Sequence, residues 1–91
     1  MFNHVGHLTL QPQATDEQID GIVNALLRLP SEIEGLVAAR VVRDAGLSEG
    51  NATLRFHMVF EGQADWENYR THPAHVAVIQ THIAPVLASK D

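Results

Sequence analysis

Six histidines are the side chains in this sequence best fitted to chemistry, and three of them fall in "YRTHPAHVAVIQTHI", residues 69–83. Histidine can be a general base, a general acid or a metal ligand near neutral pH, so its spacing decides between these uses. His72 and His75 bracket Pro73 and Ala74, and His82 follows later on the same segment. Two helical metal ligands want clean i, i+3 or i, i+4 spacing on one face, with further ligands elsewhere. His72 precedes a proline and should stand outside the helix that the proline begins. The step from His75 to His82 corresponds to about 10 Å along a helix axis, too far for one ion. There are no cysteines, which excludes disulfides, thiolate metal sites and cysteine nucleophiles. The spacing therefore favours acid–base chemistry over a metal site, and no metal or cofactor is expected.

These side chains must be held by secondary structure, and the sequence indicates where it lies. "FNHVGHLTL" alternates as a strand from about Phe2 to Leu10. Thr15 followed by Gln18 is a capping-box signature, with Asp16 and Glu17 in the first turn. Ile19, Ile22, Val23, Leu26 and Leu27 recur at helical spacing, which predicts a helix over roughly Asp16 to Leu29, stopped by Pro30. A second strand is expected over about Leu36 to Arg43, and the turn-forming "DAGLSEGN" leads to a third in "ATLRFHMVFE". "GQADWENYRTH" reads as a short polar helix, and a last helix should run from Pro73 to about Leu87. On a wheel of about 100° per residue, Val76, Ile79, Ile83, Val86 and Leu87 form its apolar stripe, with His75 and His82 at the edge.

The order β-α-β-β-α-α matches a ferredoxin-like α+β plan, except that a closing fourth strand is not evident: after "APVL" only "ASKD" remains. It would be missing or truncated, leaving the first strand as a sheet edge. Strand alternation sets His4, Gly6, Leu8 and Leu10 against Val5, His7 and Thr9. In the third strand Leu54, Phe56, Met58 and Phe60 should face the helices, and His57 and Val59 the other way. His7 and His57 then share an outer surface suited to a second subunit. An inward His4 is either a hydrogen-bonded core residue or part of a pocket wall. Gly6, which removes a side chain from the same face, favours the pocket.

At 91 residues the chain is a single domain, small enough for a second copy to be a ready source of buried surface. Its 45% apolar and 19% charged composition is globular. The formal charge of −5, with basic residues scattered singly, argues against nucleic acid as a partner. No stretch is long and apolar enough for a membrane helix, and no leader is evident, so a cytoplasmic domain is expected.

The strand histidine in "NHVGHLTL", the "LPSEIEGL" junction, "FHMVFE" and above all "YRTHPAHVAVIQTHIAPVL" resemble the stress-responsive dimeric α/β-barrel (Dabb) family over nearly the whole chain. The resemblance implies a ferredoxin-like fold whose sheet packs on that of a second subunit, giving a homodimer with a cavity in each subunit. A polyketide cyclase of this family performs an aldol condensation without cofactor or metal. Its functional pair corresponds to His4 and His75, and a pocket tyrosine corresponds to Tyr69. By the same reading Gly6, Leu8, Ile22, Phe56, Met58, Trp66 and Ile79 line the pocket. Ile22 replaces a tyrosine there, and Gly6 and Trp66 replace apolar residues, so pocket shape and substrate should differ. The leading functional reading is a cofactor-independent cyclase- or lyase-like enzyme acting on a polyketide-like or small apolar ligand. Alternatives are a non-catalytic, stress-associated or ligand-binding dimer and, from the fold alone, a cofactor-free monooxygenase.

Overall fold

The computed structural model describes residues 1–44 and 53–90. β1 (Phe2–Leu10) leads into α1 (Asp16–Arg28), followed by a 3₁₀ turn at Leu29–Ser31. β2 (Leu36–Arg43) and β3 (Thr53–Phe60) come next, then α2 (Gln63–Thr71) and α3 (Pro73–Val78). The expected turn between β2 and β3 lies outside the described residues. α1 starts as its sequence dictates. The Thr15 hydroxyl accepts from the Gln18 N–H at 3.1 Å, and the Gln18 side chain accepts from the Thr15 N–H at 2.9 Å. Both groups are donors that a helix start otherwise leaves unsatisfied.

The strands form one antiparallel sheet in the order β2-β3-β1, with a fourth strand beyond β1. That fourth strand corrects the expectation of a missing or truncated one. β4 (Leu87–Lys90) pairs with β1 through Leu8↔Lys90, Thr9↔Ser89 and Leu10↔Leu87. Two hydrogen bonds from Gln11 anchor its start: the backbone N–H donates to the Val86 carbonyl at 2.7 Å, and the side-chain Nε2 donates to the Leu87 carbonyl at 3.2 Å. Its residues lack β-branched or aromatic side chains, and the strand is short and lysine-bearing, as sheet edges often are. Pairing with β1, rather than local propensity, makes it a strand. β1 is accordingly interior to the sheet at its Leu8–Leu10 end, which β4 covers.

The final helix also departs from expectation. α-Helical geometry holds only over Pro73–Val78, gives way to a π-helical segment at Ile79–Ile83, and ends in a 3₁₀ turn at Ala84–Val86. Pro85 has no N–H with which to continue an α-ladder, so the chain leaves the helix there and reaches the sheet edge two residues later.

The core lies between one sheet face and the helices. Leu8, Leu10, Leu54, Met58 and Phe60 meet Ile19, Ile22, Leu26, Tyr69, Val78 and Ile83 in one buried cluster. The opposite face carries the alternate residues, with Val5 paired to His57 and His7 to Arg55. Val5 is 68% exposed and Val42 50%. Among the described residues no helix is long and apolar enough to cross a membrane.

Candidate active site

A cavity of about 540 Å³ opens between the sheet and the helices, a size that suits a small organic ligand. β1 contributes His4 and Leu8 to its wall, and β3 contributes Phe56 and Met58. Trp66 and Tyr69 enter from α2, His75 from α3, and Ile79 from the π-helical segment. The structure thus brings His4, His75 and Tyr69 to one cavity. It does not bring Gly6 or Ile22 there. Ile22 is wholly buried in the core, and Gly6 is a buried strand position paired with Phe56. The His4 and Phe56 rings, 5.4 Å apart, form the wall at that level.

α2 ends at Thr71 because His72 adopts an extended conformation before Pro73. The His72 imidazole is then used structurally: its Nδ1 accepts from the Ala74 N–H at 3.1 Å and caps α3. Pro73 occupies the first helical position, where a missing N–H is harmless. The break turns the chain so that His75 stacks on Tyr69, with ring centroids 4.0 Å apart and planes 28° apart. Tyr69 in turn meets Phe60 edge-on at 5.0 Å, which ties the pair to the core.

The hydrogen bonding of His75 defines its chemistry. Its Nδ1 lies 3.3 Å from the Arg70 carbonyl. A carbonyl can only accept, so Nδ1 carries the proton in the neutral ring and Nε2 is the free base. Burial lowers the His75 pKa below 6.5, and the charges of His4 and Lys90 lower it further, against the opposing effect of the Arg70 and Tyr69 carbonyls. His4 is also lowered, by burial. Burial raises the Tyr69 pKa to about 12, so it is a neutral phenol and hydrogen-bond donor at any ordinary pH. Trp66 sits 5.7 Å from His4 and 5.3 Å from Phe2, ring centroid to centroid. The site holds two neutral bases and a phenol in a largely aromatic and aliphatic wall.

The remaining histidines lie elsewhere. His57 hydrogen-bonds Asn3 at 2.7 Å on the outer sheet face, as part of the mixed polar and apolar surface expected there. His7 shares that face by strand alternation. His82 lies against α1, where a Cβ on Gly21 would stand 3.6 Å from its Nδ1. Leu26, Arg70, Ile83, Leu87 and Lys90 also line the cavity but are absent from the sequence expectation. Leu87 and Lys90 were hidden because they belong to the unforeseen β4. Arg70 follows Tyr69 directly, and its guanidinium lies 5.2 Å from the centre of the Trp66 ring. The i, i+4 spacing of Trp66 and Arg70 was the available signal for that contact.

The sequence matches the model of the stress responsive A/B barrel domain over residues 2–90. No curated protein matches the chain. Among solved structures, an Arabidopsis thaliana protein is similar with a TM-score of 0.72 at 24% identity, over 97% of this chain and 89% of that one. A dimeric ferredoxin-like protein from Thermobifida fusca is similar with a TM-score of 0.67 at 26% identity, over 96% of this chain and 84% of its own. The hydroxynitrile lyase of Passiflora edulis is similar with a TM-score of 0.70 at 18% identity, over 96% and 86%. The fold is therefore ferredoxin-like α+β.

Proposed function

The chain belongs to the stress responsive A/B barrel domain family, and on that premise we propose that it works as a homodimer whose cavities each carry out cofactor-independent acid–base chemistry on a small carbonyl compound. The observation that carries this reading is the meeting of His4, His75 and Tyr69 on one cavity. His75 is the general base. Its Nε2 takes a proton from carbon beside a carbonyl, and the electron pair of the broken C–H bond moves onto the carbonyl oxygen as an enolate. Tyr69, a donor, and His4 stabilise that oxygen or hold the substrate against it. In an aldol-type cyclisation the enolate carbon then attacks a second carbonyl of the same molecule. The proton on His75 passes to the new alkoxide, so atoms and charge balance without a co-reactant. A lyase on the same scaffold, the Passiflora edulis protein, is compatible with such chemistry.

Dimerisation is proposed through the outer sheet face, where Val5 and Val42 stand exposed. Large exposed apolar side chains set among polar groups are typical of a protein interface.

The test is exchange of α-protons for deuterium in a β-diketone, followed by NMR, together with turnover of linear poly-β-keto compounds. His75→Ala should lower both rates by roughly 10²–10⁴-fold, the usual contribution of a positioned base. His4→Ala and Tyr69→Phe should lower turnover while ligand binding, read by Trp66 fluorescence, persists. Unchanged rates in His75→Ala would reject the assignment.

A further inference from the structure

The cavity wall is mostly apolar, yet two cations stand at it, Arg70 from α2 and Lys90 from β4. Both are exposed residues, so their charges sit at the rim while the aromatic and aliphatic groups form the interior. No aspartate or glutamate lines the cavity among the described residues. The carboxyl of Asp65, on the same helix as Arg70, lies against Gly35 at the start of β2. Arg70 is held over Trp66 by a cation–π contact rather than by an acid. This arrangement runs against the molecule as a whole, whose formal charge is −5. An acidic protein repels anions, so two cations at the mouth of an apolar cavity, with no acid among its described lining residues, form a local exception.

We propose that the cavity takes a small amphipathic carboxylate, its apolar part against Phe56, Met58, Trp66 and Ile79 and its carboxylate held at the rim by Arg70 and Lys90. The proposal rests on the reading of the cavity as a ligand site and names the class of ligand. The guanidinium offers paired donors to the two carboxylate oxygens, and the ammonium adds a compact charge. The pairing also bears on the base. Burial is the main cause of the lowered basicity of His75, and the charge of Lys90 adds to it. A bound carboxylate offsets that charge and makes Nε2 a stronger base only when substrate is in place.

Octanoate and octanamide are suitable probes, with matched chains and head groups that differ in charge, one an anion and the other neutral. Binding is read by Trp66 fluorescence, the only tryptophan in the chain, and by amide NMR shifts at Tyr69 and His75. Octanoate should bind about tenfold more tightly than octanamide, as charge-assisted hydrogen bonds imply. Arg70→Gln with Lys90→Gln should abolish that preference, bringing the two probes to equal affinity, whereas Arg70→Lys should retain most of it. Equal affinity of the two probes for the unmodified protein, or a preference surviving in the double variant, overturns the carboxylate assignment alone. If neither probe moves the Tyr69 and His75 signals, the ligand-site reading itself fails and takes the assignment with it.

Discussion

Burial makes His4 and His75 costly to protonate, and this couples the cavity to the stability of the whole fold. Both have folded pKa values below 6.5. In the unfolded chain each binds a proton more readily, so the unfolded state gains protons first as pH falls. The stability tied to their neutral forms is complete above pH 6.5 and is lost as pH drops through the folded values. Denaturation midpoints measured from pH 8 to pH 5 should fall less steeply in a His4→Gln, His75→Gln double variant than in the parent. Parallel curves would show that the two rings are not the groups responsible. At this scale the sequence carried much of the site. Strand alternation pointed to His4 and the helical wheel placed His75 at the edge of its stripe, whereas their pairing and Tyr69 came from the family resemblance. Arg70 and Lys90 were less legible, since each becomes a cavity residue only through a neighbour, Trp66 in one case and β1 in the other.

Two glycines make opposite predictions at the level of elements. Gly35 opens β2 at φ 89°, and a Cβ there would run into the Asp65 carboxyl. Gly35→Ala should destabilise the fold by about 1–3 kcal/mol, through strain and displacement of α2. Gly21 lies inside α1 with ordinary contact space beside His82. Gly21→Ala should stabilise by about 0.5–1 kcal/mol, the helical advantage of alanine. Urea titration of both variants checks the pair, and a stabilised Gly35→Ala would contradict the geometry. Elements with strong local codes were legible: Thr15 and Gln18 start α1, and alternation marks β1 and β3. The π-helical segment and β4 were not, because neither has a local code. A regular wheel continued through Ile79–Ile83 carries a helix onward to Leu87, whereas the chain leaves the helix at Pro85 and pairing with the Leu8–Leu10 end of β1 makes Leu87–Lys90 a strand.

For the whole molecule, the sheet separates two environments, with the cavity and helices on one side and Val5, Val42, His7 and His57 on the other. Val5→Asp, at the middle of the proposed interface, should weaken the dimer at least about tenfold, since a carboxylate would be buried without a partner. Light scattering after gel filtration at micromolar concentration should then report a monomer for Val5→Asp and a dimer for Tyr69→Phe. A monomeric parent would remove the proposed interface.

The nine residues of β1 are read from both sides at once. His4 and Leu8 belong to the cavity wall; Val5 and His7, between them, belong to the outer face. A substitution in this strand therefore reaches one surface at a time, and either surface can change while the other is kept. A single inserted or deleted residue has no such selectivity. It reverses the parity of every position beyond it, carrying valine toward the cavity and leucine toward the outer face in one event. Divergence of the two faces along this strand is thus open to point changes and closed to changes in length.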